Sequence, residues 1–175
     1  MVLKELCLLR GVSGDEGRVR DFIQNHIKAH ADRTWTDPIG NLMAYKKGTE
    51  GKKHVLLAAH MDEVGFMVLG INDNGLFNQA GDEILTDLEP VGGIDARVVV
   101  SKPVLVGEKE VPGVIGAKAI HLQTRAEFEK VLKHEDLYID IGASTKEEAE
   151  KLVSVGDYVS FRSDWREFGA GLVKG

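Results

Sequence analysis

The chain has 175 residues and a mass of 19.2 kDa, which is enough for one ordinary domain or two small ones. Its net charge of -6 and pI near 5.5 argue against a nucleic-acid binder or a protein of anionic membrane surfaces, because either would carry a basic patch. No apolar run approaches the roughly 20 residues of a bilayer span. The single cysteine, Cys7, cannot form an internal disulfide, so we predict a cytoplasmic protein.

Two helices are predicted near the N-terminus. Leucines at positions 3, 6, 8 and 9 favour a short helix that ends at Gly11. Apolar residues at helical spacing then predict a longer helix over about residues 14–30. Ser13 and Glu16 fit a capping box, in which the hydroxyl accepts from a free backbone N–H and the carboxylate reaches back.

Two strands are predicted after these helices. Residues 37–41 are typical of a turn, and a strand follows at 42–45. Residues 55–59 form an apolar run without alternation, which is typical of a strand buried on both faces of a sheet. The first 68 residues therefore predict an α/β unit.

Residues 69–163 are predicted to form a mostly β unit, and most of the negative charge falls there, which favours a separate structural unit. The sequence Asn-Asp-Asn-Gly at 72–75 predicts a hairpin turn. The further expected elements are strands at 66–71, 76–77, 97–100, 104–106, 114–115, 138–141 and 158–161, with helices at about 124–133 and 145–153. Short strands with Gly and Pro turns favour a small barrel or sandwich.

The sharpest local feature is His60, which directly follows the predicted strand at 55–59. In open α/β sheets, ligands bind outside the carboxyl ends of the strands. A neutral imidazole is a good ligand for Zn²⁺ or Co²⁺, and Asp62 is placed to bond its other ring nitrogen and fix the tautomer. A plainer interpretation stays open, because a His-x-Asp triplet is common by chance: His60 closes a strand end, while Asp62 and Glu63 are solvated.

The other candidate residues are few. A catalytic zinc needs about three protein ligands and an open position. His26 and His30 lie four apart on a predicted helix without an acidic partner, so we interpret them as solvated. His121 lies between β elements, where it either forms a structural hydrogen bond or contacts substrate or a neighbouring subunit. The sequence has no phosphate-binding loop, no nucleophile elbow of the G-x-S-x-G type and no C-x-x-C pair.

Seven short strings occur in one order along the chain, at 11–14, 40–42, 59–68, 90–95, 112–116, 137–143 and 155–157. They begin with Gly-Val-Ser-Gly and include Ala-His-Met-Asp-Glu-Val-Gly and Pro-Val-Gly-Gly-Ile-Asp. Together they resemble the glutamyl/deblocking or tetrahedral aminopeptidases, some of which are labelled endoglucanases. The resemblance covers nearly the whole chain. Between positions 76 and 90 the chain is several residues longer than the family pattern, so we expect that loop to be particular to this protein.

The resemblance implies an α/β/α zinc-peptidase-like catalytic domain that is interrupted by a small, inserted, PDZ-like β-barrel. Residues 1–68 plus 164–175 would belong to the catalytic domain, and residues 69–163 to the inserted domain, which mediates oligomerisation. His60 matches the first metal ligand of the family, and Asp62 matches the carboxylate that orients this histidine. The complete enzyme would use two divalent ions, zinc or cobalt, to hydrolyse N-terminal residues from peptides, as a homo-oligomer between a dimer and a dodecamer.

By the same resemblance, the remaining metal ligands and the general base follow residues 171–175. We therefore expect this polypeptide alone to bind no metal tightly and to have negligible peptidase activity. We also expect uncovered apolar surface around 55–59, and hence dimerisation or aggregation. Two other functions stay open: a non-catalytic oligomerisation or interaction module, and a glycan hydrolase, which would need two carboxylates across a sugar cleft.

Overall fold

The computed structural model describes residues 1–49, 51, 53–71 and 88–175. The helices are α1 (Val2–Cys7), α2 (Gly17–Ile27), α3 (Arg125–Phe128) and α4 (Lys146–Leu152). The strands are β1 (Arg33–Thr36), β2 (Leu42–Tyr45), β3 (Gly65–Val68), β4 (Leu88–Val91), β5 (Pro103–Val106), β6 (Val111–Ala117), β7 (Leu137–Asp140), β8 (Tyr158–Phe161), β9 (Arg166–Phe168) and β10 (Leu172–Lys174). None of the helices in the described ranges is long and apolar enough to cross a bilayer.

A six-stranded antiparallel sheet, in the order β4-β3-β8-β5-β6-β7, holds the core. Alternate residues of its strands point inward, because side chains of a strand alternate between the two faces with a period of two. The side chains that this alternation buries most completely include Phe66, Val104, Ile115, Leu137 and Val159. Burying an apolar side chain of this size stabilises the fold by about 1.5–3 kcal/mol. The sheet thereby forms the main hydrophobic core of the described chain.

The sheet is curled, which brings its two edges together. The 3₁₀ helix His134–Asp136, which precedes the edge strand β7, packs against β4 at the other edge. The ring of His134 also lies 6.3 Å from the ring of Phe66 on β3, in an edge-on arrangement. With its helices, the chain is a mixed α/β protein, as the sequence predicts. The inserted PDZ-like β-barrel stays a prediction.

Most elements predicted after residue 100 are confirmed. The strands expected at 104–106, 114–115, 138–141 and 158–161 correspond to β5, β6, β7 and β8. The two expected helices are present in shorter form as α3 and α4, and threonine side chains at positions 124 and 145 accept hydrogen bonds from backbone N–H groups in their first turns. The predicted strand at 66–71 is present as β3 but ends at Val68. The predicted turn at 72–75 and strand at 76–77 lie outside the described residues.

The strand predicted at 97–100 is wrong, because the chain forms a 3₁₀ helix at Ala96–Val98. Asp95 caps this helix, and its Oδ1 accepts from the backbone N–H and from Nε of Arg97, each at 2.9 Å. These local side-chain bonds offer the backbone an alternative to the sheet ladder.

The capping box predicted from Ser13 and Glu16 is also wrong. Helix α2 begins at Gly17, and the N-cap residue Glu16 makes no side-chain bond into the helix. Its Oε1 instead accepts from the backbone N–H of Gly14 at 2.6 Å. The Ser13 hydroxyl donates to Asp62, 49 residues away. A tertiary contact has therefore replaced the local one.

The turn predicted at 37–41 and the strand at 42–45 are confirmed by the antiparallel β1–β2 hairpin. Asp37 organises the turn: its Oδ1 accepts from the backbone N–H groups of Ile39 and Asn41 at 3.1 and 2.9 Å. The Asn41 side chain donates to Oδ2 at 2.8 Å, and this bond is the largest cause that lowers the pKa of Asp37. Gly40 takes a left-handed φ of +95°, which glycine adopts without strain.

The strand predicted at 55–59 is wrong in this structure. The segment has no strand pairing, and the side chains of Val55, Leu56 and Leu57 are 83%, 84% and 91% exposed. A strand buried on both faces needs neighbouring strands at its edges and covering elements on its faces. The described residues supply neither. The uncovered apolar surface expected at this place is thus confirmed, while dimerisation through it stays a prediction.

The division into residues 1–68 plus 164–175 and 69–163 stays a prediction. Strand β3 belongs to the six-stranded sheet although it lies before residue 69. Strands β9 and β10 form a hairpin near the C-terminus. Gly175, which follows β10, packs closely against Cys7 of α1: a Cβ added at Gly175 would stand 2.6 Å from Cβ of Cys7.

Candidate functional site

The segment that carries His60 and Asp62 is tied to the loop between α1 and α2. The backbone N–H of Glu63 donates to the Gly11 carbonyl at 2.7 Å, and the N–H of Ser13 donates to the Glu63 carbonyl at 3.2 Å. Together these bonds make a parallel bridge between Val12 and Glu63. The two loops are therefore held side by side just before β3 begins.

Close packing at two glycines allows this arrangement. A Cβ added at Gly65 would lie 2.4 Å from the Val159 carbonyl oxygen and 2.6 Å from a methyl group of Val12. A Cβ at Gly11 would lie 2.7 Å from a methyl group of Val19. Real Cβ atoms do not approach neighbours so closely, so glycine is required where the loop backbone meets the sheet and α2. Val12, between these contacts, is fully buried and anchors the loop.

His60 projects from this scaffold into solvent, with its side chain 84% exposed. Its Nδ1 lies 2.9 Å from the Asp62 backbone carbonyl oxygen and 3.2 Å from Asp62 Oδ1. Both partners are acceptors, so they favour a proton on Nδ1 and leave the lone pair on Nε2. This is the tautomer in which Nε2 can bind a metal ion.

Asp62 links His60 to the α1–α2 loop. Its Oδ1 faces His60, and its Oδ2 accepts from the Ser13 hydroxyl. The Ser13 hydrogen bond is the largest cause that lowers the pKa of Asp62, and the charge of His60 acts in the same direction. Burial opposes the shift but does not reverse it. The carboxylate is therefore ionised at neutral pH and accepts from both sides.

Glu63 is partly buried and not solvated, which corrects one part of the plainer interpretation. Its Oε1 accepts from the backbone N–H of Gly11 at 3.3 Å, and its backbone carries the parallel bridge. Burial raises the pKa of Glu63, and the Gly11 hydrogen bond offsets only part of that shift. Its role is to attach the His60 segment to the preceding loop.

Sequence reasoning identified His60 and Asp62 but missed Ser13 as their neighbour. The available signal was the Gly-Val-Ser-Gly string at 11–14, which belongs to the family resemblance, whereas Ser13 with Glu16 predicts a helix capping box. His121 lies elsewhere, exposed on the 3₁₀ helix Ile120–Leu122 that follows β6. In the sheet order, β6, which precedes the 3₁₀ helix of His121, is three positions from β3, which follows the His60 segment.

The residues present fit one part of a metal site. His60 has an exposed Nε2 and an orienting carboxylate, as a metal-ligating histidine needs. Over the described ranges, however, no three or more His, Cys, Asp or Glu side chains are grouped so that they could hold an ion. The pair thus fits one ligand with its hydrogen-bond partner, and does not form a full ligand set.

The chain is similar to a known protein family and to several solved structures. The sequence model of the M42 glutamyl aminopeptidases matches residues 40–175. A solved structure of an endoglucanase from Thermotoga maritima is 44% identical, with a TM-score of 0.76 over 95% of this chain and 46% of that one. A TET aminopeptidase from a Thaumarchaeota archaeon is 31% identical, with a TM-score of 0.85 over 97% of this chain and 46% of that one.

A third structure bears on assembly. The TET1 peptidase of Pyrococcus horikoshii, which can assemble into a tetrahedron or a large octahedral shell, is 38% identical, with a TM-score of 0.76. The match covers 94% of this chain and 47% of that one. The chain also spans only 44% and 47% of two curated relatives that it matches along almost its whole length.

Proposed function

Because the chain belongs to the M42 glutamyl aminopeptidase family, we propose that it is the N-terminal portion of a metal-dependent enzyme that hydrolyses N-terminal residues from peptides. The single observation that carries the proposal is the contact between Nδ1 of His60 and Asp62 Oδ1, with Nε2 of the exposed ring left for a ligand.

His60 would contribute one metal ligand through Nε2, and Asp62 would hold the ring in the required tautomer and orientation. Two divalent ions, zinc or cobalt, would when bound supply polarisation of the scissile carbonyl and activation of the attacking water. The chain's own part is positional: Asp62 takes the Nδ1 hydrogen bond, and the bridge through Val12 and Glu63 fixes where the ring stands.

We propose further that the 175-residue polypeptide by itself binds Zn²⁺ or Co²⁺ only weakly and has negligible peptidase activity. One imidazole falls short of the roughly three protein ligands of a catalytic zinc site. The test is metal analysis of the purified polypeptide after loading with each ion and dialysis. Retention of one ion or more per chain would contradict the proposal.

The decisive test of function begins by sequencing the gene on both sides of the codons for these 175 residues. The full-length protein is then assayed on aminoacyl-anilides, with Co²⁺ and with a chelator. We expect metal-dependent cleavage that His60→Ala removes. A protein that cleaves cellulose derivatives and ignores peptides would overturn the proposal in favour of glycan hydrolysis, the activity that the name of the Thermotoga maritima structure indicates.

We also propose that the protein forms homo-oligomers, between a dimer and a dodecamer, through an inserted barrel domain at residues 69–163. The shell-forming Pyrococcus horikoshii relative supports this, as do the exposed apolar side chains of Ile120 and Leu122 beside His121. His121 would then contact a neighbouring subunit. Sedimentation of the full-length protein tests the assembly, and a monodisperse monomer would argue against it.

A further inference from the structure

We propose that Ser13 is a positioning residue for His60 and acts through Asp62. The Ser13 hydroxyl donates to Oδ2 of Asp62, while Oδ1 of the same carboxylate faces Nδ1 of His60 at 3.2 Å. Each carboxylate oxygen therefore has its own polar partner. A carboxylate that is held at both oxygens cannot rotate away from the imidazole without losing one of them.

The backbone around Ser13 keeps its hydroxyl in place. The Ser13 N–H donates to the Glu63 carbonyl at 3.2 Å, and the Asp15 N–H donates to the Val12 carbonyl at 2.7 Å, which closes a tight turn. Gly14 completes this turn at φ +96°, where an added Cβ would stand 2.4 Å from the Tyr158 hydroxyl. The turn is thus packed against β8, and Ser13 has little freedom to leave Asp62.

The Asp62 backbone carbonyl limits the influence of Ser13 on the tautomer of His60. It lies 2.9 Å from Nδ1 of His60 and would remain if Ser13 were changed. Removing the hydroxyl therefore frees the carboxylate but leaves one acceptor beside the ring. We expect a partial change in the tautomer balance of His60, and not its complete loss.

The experiment measures the tautomer of His60 in the full chain by NMR correlation of ring nitrogens with ring protons, at about pH 9, where an ordinary imidazole is neutral. Ser13→Ala should raise the ratio of the Nε2–H to the Nδ1–H form about threefold, the size expected when one hydrogen bond is weakened. Ser13→Thr, which keeps the hydroxyl, should restore the original ratio. The ring of exposed His54 serves as the internal control.

A double-mutant cycle separates action through Asp62 from a general change of structure. In an Asp62→Ala background, Ser13→Ala should have no further effect on the His60 ratio, because the link between them is already absent. Equal effects of Ser13→Ala in both backgrounds, or no effect in the wild-type background, would overturn the inference. If Ser13→Ala does not fold, Ser13→Cys, whose thiol is a weak donor, should give an intermediate ratio, and a ratio equal to wild type overturns it.

This inference rests on the proposed function only for its consequence, the orientation of a metal-binding ring. The tautomer measurement needs no metal and no activity, so the two can fail separately. A shifted tautomer ratio with no metal-dependent peptidase activity in the full-length protein would contradict the proposed function but support the role of Ser13. Activity with an unshifted ratio would do the reverse.

Discussion

Two apolar stretches of this chain have opposite fates. Strand β5 carries Val104 and Val106, whose side chains are fully buried in the hydrophobic core. Residues 55–59 are as apolar, yet their large side chains stand in solvent. Hydrophobic sequence makes a segment suitable for a core, but burial needs partner surfaces. Strand β5 has β6 and β8 as hydrogen-bonded partners, while the segment 55–59 has no pairing strand within the described ranges.

The strongest test of this contrast uses one substitution at two places. Leu137 is 2% exposed in β7, whereas Leu57 is 91% exposed. We expect Leu137→Ala to lower the free energy of unfolding by about 2–5 kcal/mol, because it leaves a cavity in the core. Leu57→Ala should change it by less than about 0.5 kcal/mol. Urea unfolding of both variants measures the difference, and a comparable loss at Leu57 would show that the segment is packed after all.

A second test concerns the two ion pairs of Glu110 in the β5–β6 turn, one with Arg10 in the loop after α1 and one with Arg18 in α2. Arg10 is buried, and it donates to the Gly107 carbonyl and pairs with Glu110 at 3.3 Å. Arg18 pairs with the same carboxylate from an exposed position. Arg10→Ala should cost about 1.5–3 kcal/mol.

The matched variant Arg18→Ala should cost at most about 1 kcal/mol, since exposed ion pairs contribute little. Thermal and urea unfolding of both variants compare the two arginines. Equal losses would mean that burial of Arg10 adds nothing to the attachment between the loop and the sheet.

A third test examines the turn that holds Ser13 against the sheet. Gly14→Ala meets both a left-handed φ and the Tyr158 hydroxyl, so we expect a loss of about 1–3 kcal/mol. Gly142 has a left-handed φ but open space around it, so Gly142→Ala should cost about 1 kcal/mol. Gly48→Ala, with open space and no left-handed φ, should be close to neutral. Equal values at positions 14 and 142 would show that the Tyr158 contact yields easily.

The smallest expected effect is a pH dependence outside the core. The Lys118 side chain, followed by bonds from Thr124, lowers the pKa of Glu127 from 4.5 to about 2. A lowered folded-state pKa contributes stability above the unfolded pKa, and this contribution is lost as pH falls from about 4.5 toward about 2. Glu127→Gln should flatten this part of the stability curve. NMR titration of Glu127 near its ordinary value would contradict the assignment.

The strands of the curled sheet could largely be predicted, because period-two alternation and Gly or Pro turns act within a few residues. The strand predicted at 97–100 was wrong for an equally local reason: the hydrogen bonds between Asp95 and Arg97 compete with strand pairing. At 55–59 the apolar pattern predicted a buried strand, and that prediction was wrong because such a strand forms only where neighbouring strands pair with it.

The site divides in the same way. The pairing of His60 with Asp62 was predictable, because two residues so close in sequence can contact each other whatever surrounds them. The Ser13 contact was not, since it depends on a parallel bridge between loops about 50 residues apart. The amino-acid sequence by itself determined most of the strands after residue 100, the imidazole with its carboxylate and the family. Only the tertiary structure decided which loop supports that carboxylate and which apolar run stays in water, because both outcomes depend on surfaces contributed by distant residues.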